Sequence, residues 1–119
     1  MTTMNNGIIT INRGDTVDIL YPLKHGNRLE LENFNFNSKS EIYLGILEPK
    51  QPWEFALIRK KYTIEDLDAN NNLKLHLDRI DTINVLPGLY FYEIKVRLLD
   101  EDKETIITVI PRRKFYIQD

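Results

Sequence analysis

The chain has 119 residues, 42% of them hydrophobic and 29% charged, which suits one soluble globular domain over residues 1–119. Sixteen Lys and Arg face 18 Asp and Glu, a formal net charge of -2 that lacks the positive excess wanted for phosphate binding, so nucleic acid is not the expected partner. There is no cysteine, which removes disulfides, thiolate metal sites and cysteine nucleophiles together. The first residues lack the basic and apolar regions of a signal peptide, and no apolar run approaches the ~20 residues of a membrane-spanning helix. A protein made in a cytoplasm, without membrane association, is expected.

Gly7 to Asn12 reads as a first strand, Arg13-Gly14-Asp15 as a turn, and Thr16 to Leu23 as a second strand, with Val17, Ile19 and Tyr21 alternating against Thr16, Asp18 and Leu20. Arg13-Gly14-Asp15 matches the integrin tripeptide, but a glycine turn between two strands accounts for it. Lys24 to Asn27 is a loop. Leu29 to Phe36 is an irregular strand or a loop that dips Phe34 and Phe36 into the core. Glu41 to Leu47 is a central strand in which Gly45 marks a bulge or a close approach. Two prolines then interrupt before Trp53-Glu54-Phe55, and Ala56 to Tyr62 is a further strand whose solvent end carries Arg59, Lys60 and Lys61.

Thr63 and Asp66 have the spacing of a capping box, which predicts one helical turn. A polar turn over 68–72 leads into a strand that alternates Leu73, Leu75 and Leu77 with Lys74, His76 and Asp78, and 79–82 is a short turn. The longest strand pattern follows Leu86-Pro87-Gly88. There Tyr90, Tyr92, Ile94, Val96 and Leu98 lie on one face, with Glu93, Lys95 and Arg97 on the other. Glu104 to Ile110 returns as its hairpin partner, Pro111-Arg112-Arg113 makes a break or bulge, and Lys114 to Gln118 is a last strand. About seven to nine short strands with turns between them are the pattern of an all-β antiparallel sandwich.

Leu86-Pro87-Gly88-Leu89-Tyr90 resembles the tyrosine corner of immunoglobulin-like domains, which implies that the Tyr90 hydroxyl returns to backbone upstream. By the same resemblance Tyr92 stands where antibody domains have their second cysteine. A longer series is similar to the small immunoglobulin-like structural domains of tailed bacteriophages. It runs through Arg13-Gly14-Asp15-Thr16, Gly45-Ile46-Leu47-Glu48-Pro49, Gln51-Pro52-Trp53-Glu54, Ile58-Arg59-Lys60-Lys61-Tyr62-Thr63, Leu86 to Tyr92 and Ile110 to Ile117. Such domains occur at the N-terminus of baseplate upper proteins and as auxiliary capsid proteins of crAss-like phages.

The resemblance implies a non-enzymatic virion protein that decorates the capsid exterior, contacting the major capsid protein and self-associating in a lattice. A tail or baseplate adaptor is the alternative. The coiled coil that follows in baseplate upper proteins does not follow Asp119, which favours decoration. Interface residues are expected at Trp53, Arg59, Lys60, Arg112 and Arg113, and structural roles at Pro87, Gly88, Tyr90 and Tyr92.

Other chemistry is weakly written. Asp66-x-Asp68-x-Asn70 matches the first ligands of a calcium loop, but Asn71 and Leu77 stand where the glycine and the bidentate glutamate belong. His25 and His76 lack zinc-site spacing. No phosphate loop, nucleophile elbow or isolated carboxylate pair appears, so no enzyme, metal or cofactor is expected. A carbohydrate-binding module would need several aromatics on one face, for which Tyr43, Trp53, Phe91 and Tyr116 are the candidates.

Overall fold

The computed structural model describes residues 2–23, 38–70 and 72–119. The readings made above for Lys24 to Asn27 and Leu29 to Phe36 lie outside the described residues. Eight strands are described: β1 (Thr3–Asn5), β2 (Ile8–Asn12), β3 (Val17–Pro22), β4 (Glu41–Leu47), β5 (Ile58–Thr63), β6 (Asn72–Leu77), β7 (Gly88–Asp100) and β8 (Lys103–Gln118). A single helical turn, α1 (Arg79–Thr82), stands before β7. None of the described helices is long and apolar enough to cross a membrane.

The strands form two sheets, one in the order β1-β2-β8-β7-β4-β5 and one of β3-β6. Placing β3 with β6 in one layer, and β4, β5, β7 and β8 in the other, is the immunoglobulin-like arrangement, in which the second and fifth strands face the third, sixth and seventh. The sandwich is as expected, with one refinement. β2 runs parallel to β8, pairing Ile9 with Phe115 and Ile11 with Ile117, so the large sheet is mixed.

Period-two patterning explains the layers. Ile42, Leu44 and Ile46 of β4 and Tyr92, Ile94 and Val96 of β7 are buried against Val17 and Tyr21 of β3 and Leu73, Leu75 and Leu77 of β6. Truncating one such leucine to alanine costs about 2–5 kcal/mol through lost transfer energy and the cavity left behind.

Three boundaries differ from the sequence reading. The segment over Arg79 to Thr82 is helical, with the Asp78 N–H donating to Asp81 Oδ2 at 2.7 Å and the Gly14 N–H donating to the buried Thr82 Oγ1 at 2.8 Å. Arg59, Lys60 and Lys61 lie mid-strand in β5 and not at a solvent end, opposite Gly45, Leu44 and Tyr43. Finally, Pro111 does not divide the last segment into two strands. β8 runs for 16 residues because it takes one extra residue between Thr108 and Ile110 and another between Ile110 and Arg113. These bulges admit Pro111, whose missing N–H then breaks no ladder bond.

The corner assignment holds. Gly88 opens β7 at φ 155°, and the Tyr90 hydroxyl donates to the Leu86 carbonyl at 2.5 Å. Tyr92, on the core face, meets Tyr21 of the opposite sheet, their hydroxyl oxygens 2.7 Å apart and their rings edge-on at 5.9 Å. Tyr92 donates to the Gly7 carbonyl at 2.5 Å, so the proton between the two tyrosines comes from Tyr21. The place of an inter-sheet disulfide is thus taken by a buried polar link. Tyr62 makes a second link: its hydroxyl donates to the His76 carbonyl at 2.9 Å and accepts from the His76 N–H at 3.2 Å. Burial pushes the Tyr62 phenol up to about 12.

Candidate binding face

The face of the large sheet that points away from the core carries its charge. Alternation in register puts Glu41 and Tyr43 of β4, Arg59 and Lys61 of β5, Phe91, Glu93, Lys95 and Arg97 of β7, and Glu104, Arg112, Lys114 and Tyr116 of β8 on this side. Its charged strand residues are six cations and three carboxylates, so it is positive on a chain whose net charge is -2.

Across its middle runs the row Arg59, Gly45, Glu93, Arg112, one residue from each of four strands. Gly45 leaves the gap that Trp53 fills. A Cβ on Gly45 would stand 2.4 Å from the indole Cζ3, so this glycine marks a close approach and not a bulge. Pro52 leads into a 3₁₀ turn over Trp53–Phe55 that turns the ring back over the sheet. Two cations flank the ring: the Arg59 guanidinium carbon at 5.4 Å and the Lys95 Nζ at 5.2 Å from its centroid. Arg59 also donates to the Trp53 carbonyl at 2.8 Å.

Glu93, only 8% exposed, pairs with Arg112 at 2.5 Å and Lys95 at 3.6 Å. Further along the face Glu41 accepts from Lys61 at 2.9 Å, Arg97 at 2.6 Å and the Tyr43 hydroxyl at 2.9 Å. Lys61, then Arg97 and Tyr43, lower its carboxyl pKa to about 2. Desolvation, followed by the bond to Glu41, raises the Tyr43 phenol. Glu104, then Glu41, hold the Arg97 guanidinium charged.

Of the five expected interface residues, Trp53, Arg59 and Arg112 come together here. Lys60 does not: it faces the other side of β5 and binds Asp81 at 3.0 Å, tying the edge strand to α1. Arg113 turns inward beside Tyr21, because neighbouring residues of a strand point to opposite faces and Arg112 takes the outer one. The Trp53 loop has a more exposed apolar residue than Trp53 itself. Phe55 is 66% exposed and Leu57 49%, against a half-buried Trp53. Their signal was the same double-proline loop, which places a hydrophobic run where no strand can bury it.

The calcium-like triplet is occupied by backbone. Asp66 accepts from the Thr63 N–H at 2.9 Å, and Asp68 accepts from the N–H groups of Asn70 and Asn72 at 2.8 and 3.0 Å. Arg13 of the integrin-like tripeptide pairs with Asp119 at 2.7 Å. No family model, curated protein or solved structure matches the chain.

Proposed function

We propose that the chain is a non-enzymatic virion protein of a tailed phage, an auxiliary capsid protein that docks its charged sheet face on an acidic surface of the capsid exterior. The observation that carries the docking mode is the charge separation: six cations against three carboxylates gather on one face of a net acidic chain, around a clamped tryptophan. Cations beyond those needed to neutralise Glu41, Glu93 and Glu104 are available to a partner, and Phe55 supplies an apolar anchor at the rim. The virion assignment itself rests on the sequence resemblance to phage immunoglobulin-like domains. Many weak copies on a repeated lattice bind effectively without a large interface each.

The test is co-sedimentation with purified heads, with mass spectrometry of whole particles. Association that falls with added salt, and falls further in Arg59→Glu and Phe55→Ser, supports the reading. A chain that is absent from particles and never sediments with heads removes it, and sedimentation with tails alone moves it to a tail or baseplate adaptor.

A carbohydrate-binding module is the second reading. Tyr43, Phe91 and Tyr116 share the outer face with Trp53 by strand register, as a glycan platform requires. The cations flanking Trp53 leave that ring poorly placed to stack on a sugar. A glycan screen with no binder closes it.

A further inference from the structure

On the inner side of the bulged strand, away from the docking face, lies a hollow of about 350 Å³ lined by Met4, Asn6, Gly7, Tyr21, Pro22 and Arg113. Its volume is near the lower end of small-ligand pockets, enough for one short side chain and its backbone. Two features build it. Gly7 sits at φ 80°, and a Cβ there would lie 2.5 Å from an Arg113 Nη1 and 2.9 Å from its Cδ, so the guanidinium rests on a bare α-carbon. The donor order of the core link then sets its polarity. Arg113 donates to Tyr21 at 3.3 Å, Tyr21 to Tyr92, and Tyr92 to the Gly7 carbonyl, so the Tyr21 oxygen receives and passes on.

The arginines differ in what they hold. Arg13, Arg97 and Arg112 have side chains about a third exposed, and each holds a carboxylate, at 2.7, 2.6 and 2.5 Å. Arg113 is also half-buried, yet its contact among the described residues is one long bond to a neutral hydroxyl. A guanidinium has five N–H donors in a planar fork matched to a carboxylate, and a partly desolvated one gains most from such a partner. Met4 and Pro22 give the rim an apolar surface for the carbon that carries the anion.

We propose that this hollow is a carboxylate-binding site in which Arg113 grips an acidic side chain or a chain-terminal carboxylate of a protein partner. The grip is bidentate, and Gly7 and Tyr21 hold the guanidinium in place for it. The site lies apart from the docking face, so it stands or falls independently of the capsid reading.

The experiment is a ¹H–¹⁵N titration of the full chain with sodium acetate, set against sodium chloride at equal ionic strength. Saturable shifts at Gly7 and at the Arg113 side-chain N–H with acetate alone, in the millimolar range of a single charge-assisted fork, are expected. Arg113→Lys should weaken binding severalfold and Arg113→Gln at least tenfold. Two capped peptides, Gly-Glu-Gly and Gly-Gln-Gly, run beside Gly-Gly with a free or amidated C-terminus, separate a side-chain carboxylate from a chain end. They also decide the matter on the native chain if Arg113→Gln does not fold. Equal shifts with acetate and chloride, equal binding of acidic and amide peptides, or unchanged binding in Arg113→Gln overturns the site.

Discussion

Tyr92 stands in the middle of a directed chain of hydrogen bonds that reaches the opposite sheet, and this position gives it an unequal share. It donates to the Gly7 carbonyl and accepts from Tyr21, whereas Tyr21 donates to Tyr92 and accepts only a 3.3 Å contact from Arg113. Tyr92→Phe therefore leaves both a carbonyl and a hydroxyl without partners, at a cost of about 1–3 kcal/mol, and Tyr21→Phe costs about 0.5–1.5 kcal/mol. The double variant should lose less than the sum, because the second removal leaves fewer orphans. Urea unfolding of the three variants checks the order, and a larger loss in Tyr21→Phe would reverse the donor direction. Tyr90→Phe removes a single bond to the Leu86 carbonyl and is expected to cost about 0.5–1.5 kcal/mol. Both tyrosines of β7 were legible in the sequence, since a corner motif fixes the first and period two puts the second on the core face. Tyr21 was legible only as a core residue. Its pairing depends on how two sheets stack, which no local pattern states.

At the scale of elements, the loop between β4 and β5 and the bulged β8 determine what the outer face presents. The loop is held because Trp53 fills the space above Gly45, and this contact makes the only tryptophan of the chain a reporter. Gly45→Ala puts a methyl where the indole lies and should move the ring off the sheet. A red-shifted, more quenchable emission is expected with a stability loss of about 1–3 kcal/mol, as for other overpacked sites. Emission like that of the native chain would mean that the loop does not close on the sheet. The sequence showed Gly45 as a bulge or a place of close approach but did not show by what, because seven residues, two of them prolines, separate it from Trp53. β8 was harder to read. A proline inside a strand pattern normally argues for an end, and only the pairing with β7 shows the chain passing it by bulging. Two adjacent arginines, alike in sequence, face opposite sides by ordinary alternation, and the inserted residue sets which of them turns to the core.

Over the whole molecule, the charges make stability a function of pH at both ends of the range, and the two limbs have different causes. Lys61, Arg97 and Tyr43 depress Glu41 to about 2 from an ordinary 4.5, so its contribution is complete above the ordinary value and is lost as pH falls toward 2. His76 behaves in the opposite sense. Its two ring nitrogens face Asp18 at 2.6 Å and Asp78 at 2.8 Å, which raise its pKa above an ordinary 6.5. Its contribution is therefore complete below that value and is lost as pH rises through the raised one. The lowered pKa of Asp78 arises first from the same bond to His76, so that pair is lost on the acid side too, where Asp78 adds to the limb of Glu41. The melting temperature should accordingly have its maximum at mildly acidic pH and fall on both sides. Glu41→Gln should be less stable than the native chain near pH 6, with the two curves converging toward pH 2, and His76→Gln should flatten the alkaline limb and change the acid one only through Asp78. Salt separates the limbs further. Asp18 and Asp78 have side chains 75% and 58% exposed, against 18% for Glu41, so added salt screens the histidine limb much more than the glutamate limb. Acid and alkaline limbs that shrink equally in salt, or a Glu41→Gln chain whose acid limb matches the native one, would place the pH dependence elsewhere in the molecule.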